Sequence, residues 1–307
     1  MGGFLGIVAR ARMAAIGAGS ALAALVVPGD AVAATTIGSS LASPASASAI
    51  DCGGTGGCTL ANHALAPSST AAGGLASSAD GVIVRWRIRI GSSSSAITPR
   101  VIRTVSPGTY TAAGTGTAVT PAANQISTYD TRLPIKAGDM FGIDQAGVSF
   151  NRVGGGGGYS RWATPLLADG GPARSPSSIG VFELLINADV EADADEDGFG
   201  DETQDECPTD ASTQGACPDK TAPETTITKA PKRKVKKGRV KVAFSSSEAS
   251  GTFECKLDSG DYKACSSPAT FRVKRGRHSI LVRAIDAAGN ADATPAEAKF
   301  KRKRKRR

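Results

Sequence analysis

Alternation of apolar and polar side chains is clearest in GVIVRWRIRI (81–90), where Val82, Val84, Trp86, Ile88 and Ile90 interleave with Arg85, Arg87 and Arg89. A period of two puts successive side chains on opposite faces of an extended strand, so the apolar set predicts a core face and the arginines a wet one. RVIRTV (100–105) and LPIKAGDMFGID (133–144) continue the pattern, with Gly138 and Asp139 reading as a turn between two strands. IGVFELLINADV (179–190) reads as a buried strand that closes the domain, because its β-branched and aromatic content outweighs its two leucines. The five glycines at 154–158 read as a loop, and the small, polar stretch 34–50 as a flexible lead-in. Residues 51–190 are therefore expected to form an antiparallel, jelly-roll-like β-sandwich.

After residue 220, strands recur in RVKVAFSSSE, GTFECKLDSGDYKAC, TFRVKRGRHSILVRAID and AAGNADATPAEAKF, with Ser-Gly, Arg-Gly and Gly-Asn at the turns. This predicts a second, smaller sandwich over 220–300. Its cysteine-stapled hairpin FECKLDSGDYKAC, and the late strand HSILVRAIDAAGNAD with Asp286, Gly289 and Asn290 at its turn, resemble the bacterial immunoglobulin-like repeats of exported and surface proteins. The resemblance covers about 221–300; it implies a spacer or adhesive unit and brings no catalytic residue. The fold class expected for the chain is all-β, two antiparallel sandwiches joined by an acidic linker.

Residues 1–33 stand apart. Arg10 and Arg12 precede an apolar run at 13–27, and AVA at 31–33 offers the small-x-small pattern of signal cleavage. The run is short for a span of roughly 20 residues, so a secretory signal is the first reading and an uncleaved anchor the second. The six cysteines fit export to a secreted or cell-surface location. They form three close pairs in sequence, Cys52 with Cys58, Cys207 with Cys217 and Cys255 with Cys265, and proximity alone favours these among the 15 pairings that six cysteines allow. Zinc is disfavoured, since no C-x-x-C occurs and only His63 and His278 could add imidazole.

Against a formal net charge of +8, DADEDGFGDETQDECP (193–208) concentrates acid with no cation nearby to offset it. Carboxylates about 4 Å apart repel by roughly 4 kcal/mol per pair at an effective dielectric near 20, so a counter-ion is needed to fold the segment. Asp193, Asp195 and Asp197 stand at positions 1, 3 and 5 of an EF-hand-like loop. Gly198 supplies the turn at 6, Phe199 a carbonyl at 7 and Asp201 a carboxylate at 9. An all-oxygen set of this kind suits Ca²⁺ over Mg²⁺. Position 12 is Gln204 where an EF-hand has Glu, with Asp205 one step later, and no amphipathic helix flanks the loop. The segment 191–219 instead resembles a thrombospondin type 3 repeat, in which D-x-D-x-D-G-x-G-D is followed by Cys-Pro, here Cys207 and Pro208. That resemblance implies calcium ligation extending to Asp205, although the spacing from Asp201 to Asp205 is one residue longer than usual, the internal cysteine is missing and one copy is present. A solvated acidic linker is the alternative.

The basic runs 229–241 and 299–307 hold much of the positive charge. The tail 301–307 suits loose, salt-sensitive attraction to anionic cell-wall or extracellular polymers. It lacks the interleaved aromatics that stack bases, so no specific nucleic-acid partner is expected. Trp162, in the loop-like GYSRWATPL, is the candidate platform for a glycan. No catalytic motif assembles, and the chain is not expected to be an enzyme. A polysaccharide hydrolase would have to draw its two carboxylates from Asp139, Asp144 and Glu183. The function expected is that of an exported, calcium-stiffened surface or matrix protein with a structural or adhesive role, with a carbohydrate-binding first sandwich as the alternative.

Overall fold

The computed structural model describes residues 33–42, 45, 49–50, 52, 56–67, 73–92, 95–146, 150–151 and 153–303. Of the expected signal only Ala33 falls within them, and the last four residues of the basic tail lie outside. The chain divides into two units, one ending at Gln214 and the other beginning at Gly215. Both are built from strands, and no helix of the described residues is long and apolar enough to cross a membrane.

The first unit contains β1 (Thr35–Gly38), β2 (Ala49–Ile50), β3 (Cys58–Ala64), β4 (Gly81–Arg89), β5 (Ile97–Ser106) and β6 (Thr109–Thr115). It continues with β7 (Ile126–Ile135), β8 (Met140–Gln145), β9 (Phe150–Asn151), β10 (Val153–Ala163), β11 (Ser178–Glu183) and β12 (Ile186–Glu191). A four-stranded sheet, ordered β1-β12-β4-β7, faces a six-stranded sheet, ordered β11-β10-β3-β8-β5-β6, and every pairing in both is antiparallel. Trp86, Ile88, Leu133 and Ile186 from the first sheet meet Leu60, Val101, Phe141 and Ile143 from the second in one apolar core. Because side chains alternate along a strand, the next residues, Ala61 and Ile102, point to the other side of the six-stranded sheet. There they join Met140, Trp162 and Leu167 in a second cluster, so this sheet is buried on both faces.

Four expectations are corrected. The lead-in 34–50 is not free chain: β1 pairs with β12 along its length and Ile37 is fully buried. The glycines 154–158 lie in strand β10, in an irregular stretch where Gly154 pairs with Phe182 of β11 and Gly158 with Ala64 of β3 and the register shifts in both ladders. The run 179–190 is not one strand. It ends β11 on one sheet, turns through the buried Leu184 and Leu185, and begins β12 on the other. In β4 the alternation breaks, since a register shift against β7 between Ile83 and Arg85 moves Ile83 into the core with Trp86 and Ile88. Val82 and Val84 are buried outside that core.

The arginines of β4 pair across strands. Arg87 makes a two-pronged contact to Asp189 of β12 at 2.8 and 2.7 Å, and Arg85 reaches Asp130 of β7 at 3.4 Å. The turn at Gly138 and Asp139 joins β7 to β8 as expected, with Gly138 at φ 87°.

The second unit contains β13 (Thr225–Lys229), β14 (Lys234–Val235), β15 (Arg239–Ser246), β16 (Thr252–Leu257) and β17 (Lys263–Cys265). It ends with β18 (Ala269–Arg272), β19 (Gly276–Ile285) and β20 (Ala296–Arg302). Sheets ordered β13-β15-β18 and β14-β20-β19-β16-β17 enclose Val240, Val242, Phe244, Ile280, Val282 and Phe300. The alternating VKVAF and ILVRA runs supply this core. The short β14 runs parallel to β20, and the other pairings are antiparallel. The basic run 229–241 takes in the last residue of β13, all of β14 and the start of β15.

Disulfides join Cys52 to Cys58 and Cys255 to Cys265, with Cα atoms 5.2 and 5.8 Å apart. Cys207 and Cys217 are also disulfide-bonded, and no cysteine is free.

Candidate metal centre

Beyond β12 the chain folds back onto the first unit. Glu191, the last residue of β12, is 2% exposed and organises the return. Its Oε2 accepts from the backbone N–H groups of Glu202 (3.1 Å) and Thr203 (2.9 Å), and its Oε1 from the Thr203 hydroxyl (2.9 Å). The Gly200 carbonyl accepts from Gln204 N–H (2.9 Å) and Asp205 N–H (3.0 Å), closing a single helical turn. Gln204 donates from Nε2 to the Thr131 carbonyl at 2.9 Å, and the Arg132 guanidinium lies 4.1 Å from the centre of the Phe199 ring. Gly200 is seated so close to β4 that a β-carbon would stand 2.5 Å from Val84 Cγ1. The acidic segment therefore packs against β4 and contacts β7, which accounts for the burial of Val84 outside the main core.

Within this fold-back, Asp193, Asp195 and Asp197 bring one oxygen each within 4.8 Å of the others. Their alternate spacing alone would spread them along an extended chain. Backbone donors curl it instead: Asp193 accepts from Asp197 N–H and Gly198 N–H, both at 3.0 Å, and Asp197 Oδ1 accepts from Phe199 N–H at 2.8 Å. Gly198, at φ 86°, makes the bend in a left-handed conformation that side chains disfavour. The spacing and the glycine thus bring the three carboxylates together.

Asp201 and Asp205 lie outside the triad but act on it. Burial, opposed by the Ala194 N–H bond and reinforced by the charges of Asp193, Asp195 and Asp205, holds the Asp201 carboxyl above its ordinary range. Burial, then the charges of Asp197, Asp205 and Asp193, does the same to Asp195 against one backbone hydrogen bond. Asp205 is 4% exposed; its Oδ1 accepts from Cys207 N–H at 2.8 Å. The Oδ2 atoms of Asp195 and Asp205 are buried with no hydrogen-bond partner. A buried polar atom without a partner costs free energy unless something satisfies it, and three clustered carboxylates, one of them with such an oxygen, are a donor set for a hard cation. No nitrogen or sulfur ligand enters the set.

Sequence reasoning missed Gln214, whose Nε2 donates to Asp197 Oδ2 at 2.7 Å, together with Glu191 and Arg132. Each acts through tertiary contact and has no motif of its own. It also missed Asp219, Glu248 and Asp286 of the second unit, whose oxygens lie within 4.8 Å of one another. There the Asn290 side chain joins Asp286 Oδ2 to the Asp219 carbonyl, at 2.8 Å each.

Trp162 is not a glycan platform. It lies in β10, fully buried, with its indole N–H donating to the Arg174 carbonyl at 3.2 Å and its ring edge-on to Tyr110 at 5.3 Å. Neither face is presented for stacking. The three carboxylates considered for hydrolysis are each engaged structurally. Asp139 is held by Arg103 at 2.9 and 2.6 Å, Asp144 by the Thr59 hydroxyl at 2.6 Å, and Glu183 by Ala66 N–H at 2.8 Å.

No protein-family model and no curated protein matches the chain. Among solved structures it is similar to the extracellular domain of a one-component system of B. thetaiotaomicron, at 9% identity and a TM-score of 0.22 over 67% of this chain. The match spans 30% of that chain.

Proposed function

We propose that this is an exported structural or adhesive protein whose first sandwich is completed by a calcium-bound acidic strap, residues 192–205. The observation that carries this reading is the clustering of the Asp193, Asp195 and Asp197 carboxylates, with Asp195 Oδ2 buried and unpartnered. Three aspartates, with Asp205 as a further carboxylate, supply oxygens of the kind Ca²⁺ takes at 2.3–2.6 Å in flexible coordination. Bound calcium would offset the burial and the mutual repulsion that together raise Asp195 and Asp201, and would fix the strap over β4. The chemistry is mechanical: the ion holds in place a cover that keeps Val84 from water.

Export is supported by the absence of free cysteines, since disulfides persist in oxidising compartments. The second sandwich then serves as a rigid spacer or adhesive unit, as its resemblance to bacterial immunoglobulin-like repeats implies.

Calorimetric titration of calcium chloride into the purified, chelator-stripped chain tests the reading. Saturable binding, weakened by Asp195→Asn and far weaker for magnesium, is expected. Limited proteolysis in chelator should cut within 192–214 and spare both sandwiches. No binding heat at millimolar calcium, with an unchanged cleavage pattern, would discard it.

A further inference from the structure

The second unit gathers its positive charge at one end. Segments 229–241, 272–277 and 299–303 carry eight, four and four Lys or Arg residues and no acid. They are far apart in sequence, yet the strand register interlocks them. Arg277 of β19 lies opposite Lys301 of β20, which lies opposite Lys234 of β14, a row of three exposed cations across three adjacent strands. Arg239 of β15 likewise faces Arg272 of β18, and both are exposed. Like charges directly opposed on neighbouring strands destabilise a sheet. A fold that keeps two such oppositions side by side violates a local rule, and violations of this kind mark functional surfaces.

The charges also frame open clefts. One of about 600 Å³ is lined by Arg233, Arg277, Lys299 and Lys301, with one acid, Asp258, at its wall, held by His278 at 2.8 Å. A second, of about 480 Å³, is lined by Lys237, Gly238, Arg239 and Arg272. Arg302 bridges the two regions: its guanidinium sits 3.1 Å from where a Gly238 β-carbon would be, and its Nη1 donates to the Val273 carbonyl at 2.6 Å. Among the described residues, Lys299 is the one cation of these three segments held in an ion pair, to Glu297 at 2.7 Å. Apart from Arg302, which bonds the Val273 carbonyl, the cations of the two strand rows are exposed and have no ion-pair partner among the described residues, beside clefts that concentrate their field.

The surroundings select the class of anion. Phe300, which lines the first cleft, is buried, so its ring is not offered for stacking bases. Among the described residues of the second unit no large apolar side chain is exposed, so that unit offers nothing beside these cations to enter a lipid layer. The row Lys234–Lys301–Arg277 repeats charge at the strand spacing of about 4.8 Å, a scale similar to that of a polymer bearing one carboxylate per sugar ring.

We propose that this basic end of the second sandwich is a docking surface for a linear anionic polysaccharide with carboxylates on successive rings. The surface is folded and preorganised; it does not depend on residues 304–307. It is also independent of the calcium strap in the first unit.

The test measures binding of sodium alginate to the full chain by calorimetry in chelator, over a range of NaCl concentrations. The comparison set is the triple variant Lys234→Gln, Arg277→Gln, Lys301→Gln and a chain ending at Lys303. Wild type should bind with affinity that falls steeply with salt. The triple variant should lose about tenfold or more with a shallower salt dependence, while the shortened chain keeps most of its affinity. Because the three exchanges remove opposed like charges, the variant should melt no lower than wild type in low salt, so lost binding is not lost folding. Equal binding by wild type and triple variant overturns the proposal, as does abolition of binding by the truncation alone. Tighter binding of duplex DNA or of phosphatidylserine vesicles than of alginate, at equal anionic charge, overturns the choice of partner.

Discussion

Asp195 and Asp205 each keep one carboxylate oxygen, Oδ2, buried and without a hydrogen-bond partner, and the charge of Asp205 helps to raise the Asp195 carboxyl after burial and Asp197. A shared cation would satisfy both atoms. Removing one charge then has two opposite effects. Asp205→Asn should weaken calcium binding by about tenfold or more, and it should raise the melting temperature measured in chelator, because the ion-free strap loses a repelling group. Calorimetry and thermal melts of the same sample check both signs; a variant that binds calcium as wild type does removes Asp205 from the site.

Arg100 ties the outer cover of the six-stranded sheet to its strands. The residue is 6% exposed, bonds the Leu167 carbonyl and the Thr115 hydroxyl, and approaches Asp169 at 3.1 Å and Asp144 at 3.5 Å. Arg100→Met would leave the mostly buried Asp144, already raised chiefly by desolvation, without a counter-charge. The expected cost is about 3–5 kcal/mol in urea unfolding. Adding Asp144→Asn should recover part of it, whereas additive losses would mean the pair is not coupled.

His278 supplies a pH dependence within the second sandwich. Its Nδ1 pairs with Asp258 Oδ2 at 2.8 Å and its Nε2 with the Lys274 carbonyl at 2.8 Å; the Asp258 bond, opposed by burial, raises its pKa above 6.5. A histidine raised by folding binds its proton more tightly in the native state. Its stabilisation is complete below the unfolded pKa near 6.5 and is lost as pH rises through the higher folded value. Melts of wild type and His278→Gln across pH 5 to 9 should therefore converge at the alkaline end; curves that stay parallel would show that the contact contributes no proton-linked stability.

Strand β11 stands at a sheet edge, pairing with β10 alone among the described residues, and Ile179 and Val181 are 72% and 73% exposed with no lysine in the strand. An edge strand that exposes β-branched side chains is a template for association. Val181→Lys should change stability by no more than about 0.5 kcal/mol and should suppress concentration-dependent association in sedimentation or light scattering. An unchanged association constant would locate any self-contact elsewhere.

Local periodicity carried the strands. β4, β5, β15 and β19 follow from alternating runs, and the aspartates of the strap from spacing and one glycine. What escaped local reading was set by partners distant in sequence. Thr35–Gly38 looks like linker until β12 lies beside it, and five glycines look like a loop until Gly154 pairs with β11 and Gly158 with β3. Trp162 looked accessible because its neighbours are polar, but the segment carrying Leu167 and Arg174 covers it. The register shift in β4 inverted Ile83 relative to Val82 and Val84, which no count of alternation could foresee. The basic runs were legible as charge, whereas their convergence required the parallel pairing of β14 with β20.

The pairing of Thr35 with Val190 makes the first and nearly the last residues of the four-stranded sheet direct neighbours. Contacts of such long sequence separation form late and slowly, so a chain emerging amino-terminus first cannot close this sheet until almost the whole sandwich has been delivered. The amino-terminal strand thus waits, unpaired, on the last strand of its own domain.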